Sequence, residues 1–201
     1  MTEHMQETQT ELLSRLDLIE TMLREGRSRT EYWGWVFVLW GAAYLIAIGW
    51  SYSSAMPQLA WPVTMTAAGI LTVILAIRKK RAKAQTPIAR AISGIWTVVG
   101  TAIFTFCFAV AASGHMEAHS YIAAVELLIG VANCASCIIL RWRVQFFVAV
   151  LWWGSAIATC FVSQQAIIMI LLADTVLGFL GFGAYLMYCE RRDRRRREQH
   201  G

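Results

Sequence analysis

The sequence predicts an all-helical membrane protein in which a cytoplasmic amphipathic helix precedes a bundle of six transmembrane helices. Hydrophobic residues make up 57% of the 201 residues and charged residues only 15%, which is atypical of a soluble domain. Six long apolar stretches follow a polar segment of about thirty residues. All eighteen Lys and Arg residues fall at the termini or in alternate loops. The positive-inside rule therefore places both termini in the cytoplasm.

Each apolar stretch approaches the ~20 residues that are needed to cross the hydrocarbon core of a bilayer. A crossing segment must be helical, because the bilayer offers no water to the backbone N–H and C=O groups. We expect spans over residues 32–52, 59–77, 89–112, 119–140, 143–162 and 166–188. The chain then divides into a cytoplasmic helix over 1–30, a transmembrane domain over 31–189 and a basic cytoplasmic tail over 190–201.

The polar N-terminal segment has the pattern of an amphipathic helix over residues 4–25. Its apolar residues recur at steps of four, three and four positions: Leu12, Leu16, Ile19 and Leu23. Glu11 and Arg15 are one of several favourable i, i+4 charge pairs on the same helix. The apolar seam predicts either docking on the membrane surface or association with a second copy or another protein.

Small residues recur in the odd-numbered spans. Gly41, Gly100 and Gly154 are each followed by two small residues. The recurrence is consistent with three helical hairpins of similar build. It is equally consistent with small residues wherever membrane helices pack closely, so both interpretations stay open.

Composition and motifs narrow the possible functions. The net charge of +5 is explained by loop orientation and by attraction to anionic lipids of the inner leaflet, so no nucleic-acid partner is expected. The sequence lacks a phosphate-binding loop, a hydrolase nucleophile elbow and a metalloprotease helix. The segments outside the spans are too short to fold as a catalytic domain. We therefore expect no enzyme activity and no cofactor.

Buried polar residues are the strongest candidates for a functional site. Glu126 and Asp174 are the acids well inside the spans, where ionisable residues are costly and default to a functional hypothesis. Asn133 follows Glu126 by seven residues and shares its helix face. A stripe of hydroxyls at steps of four runs along span three: Thr97, Thr101 and Thr105.

Two interpretations of these polar groups compete. In the first, they are packing residues: Glu126 is protonated and bonds to the threonine stripe, and Asp174 accepts from the indole N–H groups of Trp152 and Trp153. In the second, they line a route for an ion or a proton. The first interpretation is slightly favoured, because membrane helices commonly satisfy polar side chains across their interfaces.

The second external loop carries His115, Glu117 and His119. Two histidines at i, i+4 can share a helix face, which is a spacing that binds zinc or copper. Three donors in an exposed loop are more often only a polar loop, and a pH-responsive histidine pair is a further alternative.

The stretch YWGWVFVLWGAAYLIAIGW after a polar helix, the connection LRWRVQF and the tail beginning YCERR resemble uncharacterised small six-span integral membrane proteins of bacteria. The resemblance covers most of the chain and implies a multi-pass protein of the inner (plasma) membrane. It implies no activity and no site residue.

These observations together favour a non-catalytic role, as a sensor, accessory or scaffold subunit that acts through helix packing and its cytoplasmic helix. The alternative is a small transporter or channel for a proton, an ion or a small solute, which would use Glu126, Asn133 and Asp174. A conduit requires these side chains to line one pathway, whereas a scaffold leaves them dry and paired.

Overall fold

A computed structural model of the chain describes residues 11–17, 33–53, 55–80, 87–114 and 117–200. Every regular element within these residues is helical, which confirms the all-helical prediction for the part of the chain described. Helix α1 covers residues 11–17. Arg15 pairs with Glu11 across one of its turns, with N–O 2.7 Å, and its apolar residues Leu12 and Leu16 are more than half exposed. The rest of the predicted helix over 4–25, with Ile19 and Leu23, lies outside the described residues.

Seven further helices follow, and a short 3-10 turn at Pro57–Leu59 leads into the second of them. They are α2 (Gly34–Ser53), α3 (Ala60–Lys80), α4 (Pro87–Ser113), α5 (Ala118–Leu140), α6 (Arg143–Thr159), α7 (Gln164–Asp174) and α8 (Phe182–His200). A π-helical segment, Thr175–Gly181, joins α7 to α8 without a break. The basic tail predicted over 190–201 is therefore helical as far as His200 and continues the last span.

Five helices within the described residues are long and apolar enough to cross a membrane, by length and composition. They are Gly34–Ser53, Ala60–Arg78, Pro87–Ser113, Ala118–Leu140 and Gln164–Arg192. The predicted fifth span, over 143–162, corresponds to α6, which ends at Thr159 after 17 residues. That length is shorter than the usual ~20 residues of a crossing helix. The fold is thus that of a multi-pass membrane protein with five candidate spans.

Helices α5 and α6 form a tight antiparallel hairpin at the centre of the bundle. The connection is only Arg141 and Trp142. Arg141 adopts a left-handed conformation with φ 49°, and the backbone N–H groups of both residues bond to the carbonyl oxygen of Cys137. This cap closes the last turn of α5 and reverses the chain. Glycine and asparagine adopt the left-handed conformation more commonly than arginine does. The backbone conformation of Arg141 is therefore stabilised by its surroundings.

Helices α2 and α8 cross at two glycines. A Cβ atom on Gly34 would lie 2.8 Å from the carbonyl oxygen of Gly183, and one on Gly183 would lie 2.9 Å from that of Gly34. Only glycine permits the backbones of α2 and α8 to approach this closely. Beside the crossing, the rings of Phe37 and Phe182 meet edge to face at 5.0 Å. The crossing anchors α2 against the helix that carries Asp174.

Helices α3 and α4 lie at the periphery. The buried residue of α4 is Ile92, and α3 buries one stripe at steps of four residues, Ala60, Thr64 and Ala68. The glycine recurrence does not mark one shared packing role. A Cβ on Gly41 would strike Leu180, whereas those on Gly100 and Gly154 would meet nothing within 4 Å.

Candidate functional site

Two acidic side chains from different helices meet inside the bundle. Glu126 of α5 and Asp174, the last residue of α7, are each 1% exposed. The two carboxyl groups lie close enough to interact electrostatically. Sequence separation gives no hint of this proximity, because 48 residues lie from one acid to the other along the chain (174 − 126). The α5–α6–α7 packing therefore creates one acidic site from two residues.

Helix α6 lies against both acids and supplies a hydroxyl to each. Thr159 Oγ1 donates to Glu126 Oε2 at 2.9 Å, and Ser155 Oγ donates to Asp174 Oδ1 at 2.7 Å. Residues at i and i+4 share one face of a helix, so one turn of α6 presents both donors. Thr159 is fully buried. We call Glu126 and Asp174 the carboxyl pair, and Ser155 and Thr159 its hydroxyl donors.

The second oxygens of the two acids define the chemistry of the pair. Glu126 Oε1 and Asp174 Oδ2 are buried and have no hydrogen-bond partner in the described part of the chain. Two ionised carboxylates can only accept, so they cannot bond to one another. One shared proton supplies the missing donor and halves the buried charge. The arrangement thus suits the binding of one proton, or of a cation that takes its place.

The helix that carries Asp174 changes geometry at this residue. The π-helical segment Thr175–Gly181 begins immediately after it. Such segments are rare and occur frequently at functional sites. Within the segment, Gly178 faces the ring of Trp152, and a Cβ there would lie 2.8 Å from the indole Nε1. The missing side chain of Gly178 leaves room for the indole of Trp152, about one turn beyond Asp174.

Further buried polar atoms on α5 and α6 have no hydrogen-bond partner among the residues that the structure describes. Asn133 is fully buried, and its Nδ2 donates to the carbonyl oxygen of Ile129 at 3.0 Å. Its Oδ1 has no partner, and neither does the amide of the fully buried Gln145 near the start of α6. The indole Nε1 atoms of Trp152 and Trp153 are in the same condition. Such groups offer hydrogen-bonding positions to internal water or to an ion.

The expected pairing of Glu126 with the threonines of α4 is wrong. Thr97, Thr101 and Thr105 are exposed on α4. Thr97 and Thr101 bond to carbonyl oxygens of their own helix, Ser93 and Thr97, at 2.7 and 2.8 Å. The reason is the rotation of α4, which meets α5 through Trp96 and its 3.1 Å hydrogen bond to Ser136. The threonine stripe consequently faces away from the acids.

The expected hydrogen bonds from tryptophan to Asp174 are also wrong. Asp174 accepts from Ser155, and neither Trp152 nor Trp153 has a partner for its indole N–H. The ring of Trp152 packs against Phe179 at 5.0 Å instead. The signal that could have identified the correct donors was the i, i+4 spacing of Ser155 and Thr159 opposite the polar face of α5.

The described residues around the α4–α5 connection have separate partners. His119 Nε2 donates to the carbonyl oxygen of Val162 at 3.0 Å, and Glu117 accepts from the hydroxyl of Ser120 at 2.5 Å. His115, the third proposed metal ligand, lies outside the described residues. Over the residues that the structure describes, no three His, Cys, Asp or Glu side chains are grouped to hold a metal ion.

Comparisons of the chain with protein-family models, with curated proteins and with solved structures find no match. The function must therefore be argued from the chemistry of the site.

Proposed function

We propose that this protein moves protons, or a small cation in exchange for protons, across a membrane through the carboxyl pair of Glu126 and Asp174. The observation that carries the proposal is the meeting of these two buried acids from separate helices within a bundle of candidate spans. Proton relays in membrane proteins are commonly built from intramembrane carboxyl groups that face the bundle interior.

The energetic cost of the arrangement argues against a purely structural role. One charged side chain at the centre of a bilayer costs at least ~2.5 kcal/mol. Two adjacent carboxylates add mutual repulsion unless a proton or a cation neutralises one of them. A helix interface of the same shape could be built from uncharged residues at no such cost. The pair is therefore better explained as a binding site whose occupancy can change.

The polar groups near the carboxyl pair are suited to a proton route as well as to a binding site. Among the described residues, Asn133 of α5 and Gln145 of α6 carry further buried polar atoms without partners, and so do the indoles of Trp152 and Trp153 on α6. Gln145 lies one turn from the Arg141 end of the hairpin, and His119 lies at the opposite end of α5. Polar groups on one interface can hold a chain of water molecules that carries protons to and from a central carboxyl pair.

As part of the same proposal, α6 also crosses the membrane, which brings the number of spans to six. The membrane is an inner (plasma) membrane, and both termini lie on its cytoplasmic side. At ~1.5 Å per residue, the 17 residues of α6 cover about 26 Å, close to the thickness of a thin hydrocarbon core. Arg141 lies in the two-residue turn before α6, and Arg143 is the first residue of the helix; basic residues at this end are expected of a cytoplasmic connection.

Cysteine labelling tests this topology. In a variant without the five native cysteines, a membrane-impermeant maleimide should label Ala55→Cys and Ser163→Cys from outside. Arg90→Cys and Arg195→Cys should be labelled only after the membrane is opened. External labelling of Arg90→Cys or Arg195→Cys would contradict the proposed orientation.

Transport in proteoliposomes tests the function itself. With a pH-sensitive dye trapped inside and an imposed proton gradient, the native protein should speed dye equilibration above empty vesicles. Glu126→Gln and Asp174→Asn should each abolish this flux. The matched control is Glu117→Gln, the same substitution at the exposed acid that precedes α5, which should retain the flux. A native flux no greater than that of empty vesicles, with sodium and potassium gradients also tested, would refute the proposal.

A second candidate function, as a scaffold or accessory subunit, is favoured by a different observation. The threonine stripe of α4 is exposed, and small polar residues promote helix association in membranes. Oxidative crosslinking of Thr101→Cys in vesicles should then yield a dimer or a product with a partner, whereas the buried Ile92→Cys on the same helix should yield none. Absence of any Thr101→Cys product would remove the support for this role.

A further inference from the structure

An open groove lies beside the turn between α5 and α6, and neither residue of the carboxyl pair lines it. Its volume is about 560 Å³. Three of its lining side chains are exposed and apolar: Ile138 at 71%, Phe146 at 46% and Phe147 at 70%. Arg141 and Arg143, both exposed, also line the groove, together with Cys137 and Trp142. The groove thus combines apolar walls with two positive charges.

The backbone fixes the two arginines relative to the walls. Arg141 is held in the left-handed conformation by the hydrogen bond of its N–H to Cys137. The intervening Trp142 is buried and packs against Phe182 and Tyr185, at ring distances of 6.0 and 6.2 Å. The turn is therefore anchored to α8, and its side chains are presented on a rigid support, as a binding site requires.

The charged side chains that line the groove are both basic. The chain contains no Asp or Glu between Glu126 and Asp174, and none lines the groove. A guanidinium group pairs with phosphate oxygens through charge-assisted hydrogen bonds. Basic pockets beside membrane helices on the cytoplasmic side bind anionic lipid headgroups.

We propose that this groove binds one anionic phospholipid, with its phosphate held by Arg141 and Arg143 and an acyl chain lying along Ile138 and Phe147. Charge complementarity selects an anionic headgroup, and the exposed apolar walls select a molecule with a hydrocarbon tail. A soluble phosphate would use the arginines alone and leave the apolar walls uncovered, which is why a lipid fits the whole groove.

Native mass spectrometry of the full-length protein in detergent tests the proposal with two defined probes, phosphatidylglycerol and phosphatidylcholine of the same acyl chains. Phosphatidylglycerol should bind more tightly. Loss of one arginine from the headgroup site should lower its affinity about fivefold, and loss of both about 25-fold. The variants are Arg143→Gln and the double variant Arg141→Gln/Arg143→Gln. The matched control is Arg191→Gln, at an exposed arginine of α8 outside the groove, which should bind as the native protein does.

Arg143→Gln is the decisive single variant because it should fold normally. A cation in the first turn of α6 opposes the helix dipole, so its removal does not weaken the helix. Phe147→Ala tests the apolar wall and should lower the affinity for phosphatidylglycerol. Phe161→Ala, at a phenylalanine that is 85% exposed beyond the other end of α6, should not.

Three results would overturn the proposal. The first is equal affinity for the two lipids in the native protein. The second is an equal loss of phosphatidylglycerol binding in Arg191→Gln and Arg143→Gln. The third is displacement of the lipid by inorganic phosphate at the same concentration, which would identify a soluble-anion site.

Discussion

The substitution Glu126→Gln tests how the buried carboxyl pair is held, because it changes the chemistry of the side chain at constant size. The amide oxygen can accept from Thr159 as Glu126 Oε2 does at 2.9 Å. The amide nitrogen then takes the place of Oε1 and can donate to Asp174 Oδ2, which has no other donor. If the native pair shares one proton, the substitution preserves every hydrogen bond. The free energy of unfolding should therefore change by no more than ~1 kcal/mol.

Two further variants show how large a change in the free energy of unfolding the loss of these hydrogen bonds should cause. Glu126→Ala leaves a cavity and removes the partner of Thr159 and of Asp174, so it should cost about 2–4 kcal/mol. Thr159→Val removes one hydrogen bond at nearly constant volume. Because membrane hydrogen bonds average about 0.6 kcal/mol and reach about 1.7 kcal/mol, the Thr159→Val effect should be in this range with Glu126 present. It should vanish in the Glu126→Ala background.

Reversible unfolding in mixed micelles, followed by the fluorescence of the nine tryptophans, measures these differences as a double-mutant cycle. Glu117→Gln, at an exposed acid, is the control and should be neutral. A Glu126→Gln protein as unstable as Glu126→Ala would show that the pair depends on its ionised form. A coupling energy of zero between Glu126 and Thr159 would show that their hydrogen bond does not form.

Two other predictions concern packing and the N-terminal helix. Gly178→Ala should destabilise the fold by about 1–3 kcal/mol, because its Cβ would lie within 3.1 Å of three ring atoms of the buried Trp152. Gly154→Ala is the control, since a Cβ there would meet nothing within 4 Å, and it should be neutral or slightly stabilising in the same unfolding assay. Equal effects of the two substitutions would contradict the contact between Gly178 and Trp152. Replacing the exposed Leu12 and Leu16 by Glu should weaken self-association or membrane-surface docking, measured by crosslinking of the full chain and by vesicle flotation of a peptide of residues 4–25. Unchanged results in both measurements would remove both proposed roles.

Local sequence signals located the helices well. Apolar length and turn residues placed spans at 59–77 and 119–140, and the structure has helices at Ala60–Lys80 and Ala118–Leu140. The span expected over 89–112 lies within the helix Pro87–Ser113. These features depend on residues close in sequence, whose effects on the backbone do not require knowledge of the rest of the fold. The end of α6 at Thr159 was not foreseen, because the apolar stretch itself continues to Val162.

The sequence by itself determined that Glu126 and Asp174 are unusual, since an acid within an apolar stretch is costly wherever its helix lies. Only the tertiary structure decided what each acid contacts. In lipid, every face of these helices is apolar enough to be exposed, so hydrophobicity does not specify which face turns inward. The rotation of α4 excludes Thr101 from the site, and the α5–α6 hairpin brings in Thr159. Close packing at glycines and aromatic rings fixes these rotations, and such packing depends on the shapes of several helices at once.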